Sequence, residues 1–156
     1  MELAALAEEG DTSQLIDLIS LHPKYNYAVS EGPVLAGESV VMEITANKGS
    51  CLISIAGMLV TTNDGFFAVR DLRVPFLQAL TVEADAYDAG SEWNSEDCAF
   101  IPGPPCGNHV HDPADAEGYV HIHAGIHGVG PDPEMVDPAM HDWRNPVAQI
   151  TVRRIR

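Results

Sequence analysis

The chain has 156 residues, enough for one domain with a sizeable core, and its 46% hydrophobic and 20% charged composition excludes a disordered chain. No apolar run approaches the ~20 residues of a membrane span, which excludes a transmembrane helix. With 23 acids against 8 Lys and Arg the net charge is −15, which repels nucleic acid, heparin-like polyanions and anionic lipid and favours cations.

The elements follow in chain order. The chain opens Met-Glu-Leu, without a basic start or a signal-type apolar run, so any export signal is taken as already removed. Residues 1–9 can form a helical turn or two. Residues Asp11–Leu21 place Leu15, Ile16, Leu18 and Ile19 on a helical period, with Asp11 or Thr12 as N-cap and His22-Pro23 as the stop. This helical segment, 1–24, is expected to precede a β domain over 25–156. After Pro33 the pattern changes to period two. Ser39–Ala46 alternates. Cys51–Val60 is mostly apolar and reads as a central strand buried on both faces. Gly65–Arg70, Leu80–Tyr87, Gly118–Ala124 and Val147–Ile155 complete the set. Short strands with Asn, Asp, Gly and Pro between them predict an all-β fold, an antiparallel sandwich or barrel. Residues 89–117 are too rich in Pro and Gly to be regular.

Charge is uneven along the chain. From Asp85 to Asp142 there are 12 carboxylates, no Lys or Arg, and six of the seven histidines. This is either a solvated acidic loop region or a place where a cation relieves carboxylate repulsion. Three cysteines fit neither zinc-ribbon nor CxxC spacing. Cys51 opens an apolar run and reads as a buried free thiol. Cys98 and Cys106 flank Ala-Phe-Ile-Pro-Gly-Pro-Pro, where a disulfide would staple a loop with little else to order it. That pairing implies an oxidising compartment: secreted, periplasmic or cell-surface.

Two loops carry the first chemical constellation. Thr61-Thr62-Asn63-Asp64-Gly65 follows one expected strand and Asp88-Ala89-Gly90-Ser91-Glu92 follows another. Counting strand directions puts both loops at the same end of the fold. Asp64, Asp88 and Glu92 can then converge on a hard cation such as calcium, which takes roughly six to eight oxygen ligands. The alternative is that these are ordinary turn residues, because Asp side chains mimic backbone turn bonds.

Gly57-Met58-Leu59-Val60-Thr61-Thr62-Asn63-Asp64-Gly65-Phe66-Phe67 resembles the "SMLVPTNDxF" core of spondin N-terminal domains. Ala86-Tyr87-Asp88-Ala89-Gly90-Ser91-Glu92 is similar to their "YDAGTE/D" segment. Asp142–Ala148 is similar to the tail before their last strand, and "VHIHAGIHG" within Gly118–Gly128 resembles the bacterial branch. The resemblance implies a β-sandwich shaped like C2 domains. It implies a calcium ion held by Asp64, Asp88 and Glu92, and a secreted or surface adhesion module that binds a protein or glycan and is not an enzyme.

Histidines form the second constellation. Period two puts Tyr119, His121 and His123 on one strand face and Val120 and Ile122 on the other, toward the core. His109 and His111 repeat the spacing, and His127 follows. Paired imidazoles with a third from a loop suit Zn2+ or Cu2+, whereas the plainer reading is a solvent-facing row beside carboxylates. The cupin spacing fails, since position 115 is Asp and 127–128 are His-Gly. The superoxide dismutase pattern fails too, because its remaining ligands are absent. No GxSxG, P-loop or dinucleotide fingerprint is present. Two readings stand: a calcium-binding adhesion module, and a histidine-based transition-metal protein or metalloenzyme.

Overall fold

A computed structural model describes residues 2–46, 49, 51–129 and 136–155. Met1, the start of the expected first helical turn, lies outside the described residues.

Two short helices begin the chain. Helix α1, Glu2–Glu9, buries Leu6 and Ala7. It ends at Gly10, whose φ of 67° is a left-handed conformation that suits glycine and whose N–H reaches Leu6 O at 3.0 Å. Helix α2, Ser13–Ser20, has Thr12 at its N-cap position, but the capping side chain is that of Asp11. The Asp11 carboxylate accepts from the Ser13 N–H at 2.8 Å and from its hydroxyl at 2.9 Å. A third helix, α3, Pro138–His141, has Asp137 as N-cap and Pro at its first turn.

The sheet has five strands: β1 Leu52–Met58, β2 Gly65–Arg73, β3 Leu80–Asp88, β4 His121–Ile122 and β5 Ala148–Val152. The order is β1-β2-β3-β4, all antiparallel, with β5 also on β3. The N–H of His123 reaches Ala86 O at 3.1 Å and that of Val147 reaches Ala84 O at 2.9 Å. Residues two apart present the same edge of a strand, so β4 and β5 lie end to end along one edge of β3. Helix α1 packs on β1 and β2. Between β1 and β2 the register slips at Arg70 and Asp71, which together face Ser54. Asp71 adopts φ 55° and its N–H meets Ser54 Oγ at 3.1 Å, the pattern of a β-bulge.

The all-β sandwich is overturned. Among the described residues the fold is mixed α/β, with three helices and one open, curled sheet. The description that rested on a sandwich, a spondin-like secreted calcium-binding adhesion domain, loses that structural basis. The physical reason lies in two segments. Ser39–Ala46 alternates like a strand, yet among the described residues it joins no strand, its Thr45 carbonyl accepting instead from the Asn26 side chain, and it is exposed throughout. Residues 89–117 are irregular, as their Pro and Gly content implies, apart from one 3-10 turn, Cys98–Phe100, so they add no strand to a second layer. Strand β1 is consequently an edge strand with alternating exposure, not a central strand buried on both faces. Cys51, just before it, is exposed.

The core is small. Phe66, Ala84 and Ala86 are buried in the sheet. Ile101, Ile126 and Val136 form a second cluster, backed by Cys98, Cys106 and Trp143. Among the described residues no helix is long and apolar enough to cross a membrane.

Candidate metal centre

Strand directions do bring the two acidic loops together. Gly65 pairs with Asp88, and the N–H of Ala89 reaches Asp64 O at 3.1 Å. Thr62 and Asn63 serve the turn itself. Thr62 Oγ1 donates to Leu59 O at 2.6 Å and accepts from the Gly65 N–H at 2.8 Å, and Asn63 Nδ2 donates to Trp93 O at 2.7 Å. A locked turn of this kind fixes the direction of the next side chain, Asp64.

Asp64 and Asp88 are both fully buried. Asp64 Oδ2 accepts from the N–H and hydroxyl of Ser91 and from the Glu92 N–H, at 2.8, 3.2 and 3.0 Å. Its Oδ1 has no partner among the described residues. Burial, and then the neighbouring Asp88, push its pKa up to about 6. Asp88 Oδ1 accepts from the Gly90 N–H at 2.6 Å, and its Oδ2 accepts from Asn94 Nδ2.

The expected trio of Asp64, Asp88 and Glu92 does not close into one site. Only the backbone of Glu92 meets Asp64. The Glu92 side chain turns to His111, with Oε1 at 2.7 Å from the imidazole Nδ1. Glu8 Oε2, from the last turn of α1, approaches the same Nδ1 at 3.1 Å. Glu8, Glu92 and His111 are the one group among the described residues whose possible ligand atoms, three or more, lie within 4.8 Å of one another. This His/acidic cluster is able to coordinate a metal ion. Glu92 is buried, its Oε2 has no partner among the described residues, and burial pushes its pKa up to about 7. His111 is on the open side, and its hydrogen bond to Glu92 raises its pKa above the ordinary imidazole value. Beside it His109 Nδ1 meets Glu9 Oε2 at 2.7 Å, so both histidines of the 109–111 loop face the end of α1.

The other histidines are dispersed. His121 is half-buried, with Nδ1 3.7 Å from Asp88 Oδ1. His123 is 6% exposed and packs its ring 4.9 Å from that of Trp143. Its Nδ1 accepts from the Gly125 N–H at 3.1 Å, which places the ring proton on Nε2. Burial lowers its pKa to about 4. His127 is exposed, with Nε2 2.7 Å from Ala124 O. The expected faces are therefore reversed: Val120 and Ile122 are 50% and 61% exposed, and His123 is the inward residue. Strand β4 is only two residues long, and among the described residues no second sheet covers the side on which Ile122 stands.

Cys98 and Cys106 form a disulfide, and Cys51 is free. The bridge packs on Ile101, Ile126 and Val136, so it braces the same loop region that delivers His109 and His111.

Glu8 is the member of this cluster that sequence reasoning missed. A signal for it existed. Glu8 and Glu9 end α1 immediately before Gly10, and the last turn carries no basic residue. Carboxylates are unfavourable at a helix C-terminus, where the backbone carbonyls concentrate negative charge. Two of them there call for a cation or a hydrogen-bond donor, and His109 and His111 lie within hydrogen-bond distance of Glu9 and Glu8.

No family model, no curated protein and no solved structure matches this chain.

Proposed function

We propose that the protein binds a divalent transition metal, zinc before copper, through Glu8, Glu92 and His111. The observation that carries the reading is the buried Glu92 carboxylate, with one oxygen unpartnered and the other on an imidazole that a second carboxylate also approaches. One imidazole and two carboxylates form a borderline-hard donor set suited to zinc, and three protein ligands leave a fourth position for water. Zinc bonds of about 2.0–2.1 Å in tetrahedral geometry need ligand atoms about 3.3 Å apart. The present spacings of 2.7 and 3.1 Å on His111 Nδ1 reach that value after shifts of a few tenths of an ångström. The ion would take the place of the proton that His111 shares with the two carboxylates. It would also tie α1 to the loops after β3.

The calcium-dependent adhesion role that the spondin resemblance implies would draw on Asp64, Asp88 and Glu92, and the Glu92 side chain points to His111 instead. The disulfide fits an oxidising compartment, so we place the protein in a secreted, periplasmic or surface setting.

Metal analysis of untagged protein, with titration calorimetry on stripped protein, tests the reading. One equivalent of zinc or copper is expected, with affinity lowered at least about tenfold in Glu92→Gln and in His111→Ala. Metal-free protein that takes up neither ion, or uptake unchanged in both variants, overturns it. Stoichiometric calcium alone returns the assignment to the Asp64–Asp88 loops.

A further inference from the structure

The net charge of −15 conceals a separation of charge along the sheet. The pairings Gly65↔Asp88 and Asp88↔His121 mark the acidic end. The pairings Leu52↔Arg73 and Leu80↔Val152 mark the opposite end. There Arg70 and Arg73 close β2, and Arg153 and Arg154 follow β5. These are four of the six Lys and Arg among the described residues, and all four are exposed. Over 66–82 and 143–155 the sole acid is Asp71, which lies 3.3 Å from Arg70.

The loop joining β2 to β3 at this end, 74–79, carries Phe76 and Leu77 side by side, 78% and 90% exposed. Arg154 sits over the Phe76 ring at 5.5 Å from its centroid. Single exposed apolar side chains are ordinary, but an adjacent pair at a loop tip, with Arg154 over one ring and three more arginines toward the same end of the sheet, marks an interaction site.

We propose that this end docks on an anionic lipid surface, with Phe76 and Leu77 entering the boundary between headgroups and acyl chains and the arginines meeting lipid phosphates. A dissolved polyanion would satisfy the arginines and leave Phe76 and Leu77 in water. An apolar protein groove would take the pair and strand the arginines. The headgroup–acyl boundary accepts both, and arginine stems can lie along it with their guanidinium groups toward phosphate. Charge complementarity also survives the acidic end. Strand β2 has nine residues, which separates the two ends by about 30 Å. That is between three and four Debye lengths at physiological ionic strength, so the carboxylates barely feel the surface. The proposal uses none of the metal-centre residues.

Co-sedimentation of the full chain with vesicles tests it, in EDTA so that metal occupancy plays no part. Vesicles of phosphatidylcholine with phosphatidylserine are expected to pellet the protein, those of phosphatidylcholine alone far less, and added salt should weaken the binding. Phe76→Ser with Leu77→Ser, and separately Arg153→Glu with Arg154→Glu, should each cut the partition coefficient at least about tenfold. Circular dichroism on both variants checks that the fold is kept, and Leu77→Ser alone, at the most exposed position, should shift binding in the same direction. Absence of pelleting with phosphatidylserine overturns the proposal, as does binding that survives the Phe76/Leu77 substitutions. Self-association without vesicles, abolished by the Arg153/Arg154 reversal, also overturns it and assigns the end to contact with the acidic end of a second copy.

Discussion

Replacing His123 by Asn measures how far one buried imidazole sets the acid limit of the fold. Asn keeps an acceptor for the Gly125 N–H and removes the titrating ring. Burial holds the folded imidazole neutral down to about 4, against 6.5 in the unfolded chain. As pH falls the unfolded state therefore takes up a proton first. The stability tied to the neutral ring is full above about 6.5 and is lost as pH falls toward about 4. Linkage gives a loss of about 2 kcal/mol at pH 5 and about 3 kcal/mol at pH 4. Asp64 works the other way in the same window. Its folded pKa of about 6 lies above the ordinary 3.8, so its contribution is full below about 3.8 and is lost as pH rises through about 6. The two slopes offset each other in the wild-type curve, and the difference between wild type and variant isolates the histidine. Urea unfolding in EDTA between about pH 7.5 and about pH 4 is the assay. The variant starts less stable, having lost the ring against Trp143, and the gap should shrink by about 3 kcal/mol across the range. A gap constant to within about 0.5 kcal/mol would refute the account of a buried neutral His123.

Two glycines separate backbone strain from steric collision. Gly118→Ala meets nothing within 4 Å at φ 79° and should cost about 1 kcal/mol. Gly90→Ala, at φ 65°, drives its methyl group into the backbone of Tyr119 and should cost at least about 3 kcal/mol, read as a much larger drop in melting temperature. Equal losses would mean that the 88–92 loop stands off from residue 119. A thiol reagent should label Cys51 in the native protein without unfolding. Replacing Cys98 and Cys106 together by Ser should cost roughly 2–3 kcal/mol from loop entropy. No native labelling would place Cys51 under cover.

Much of the sheet was legible because its strands alternate and are bounded by turn residues. Leu80–Tyr87 became Leu80–Asp88, and Gly65–Arg70 was extended to Arg73 past a bulge that no periodicity reveals. Convergence of the 61–65 and 88–92 loops followed from strand direction alone. The sandwich did not follow, because period two states which residues share a face and not whether a partner exists to cover it. Ser39–Ala46 has the period and, among the described residues, no partner strand. The inward turn of His123 was hidden for the same reason: alternation assigned the faces, and a two-residue strand is too short to enforce them. The metal cluster draws on residues 8, 92 and 111. Only the packing of α1 against the loops joins them, and that is a tertiary fact.

The end-to-end arrangement of β4 and β5 on β3 has a consequence for how the molecule opens. Residues 80–84 of β3 are closed by β5, and residues 87–88 by β4, two segments that come from different parts of the chain. Neither closure depends on the other for its hydrogen bonds. The acidic end can release β4 in a local fluctuation while β5 keeps the arginine end shut, so amide exchange along the single strand β3 should fall into two blocks that open independently. An ion gripping the loops around Glu92 would slow the first block alone.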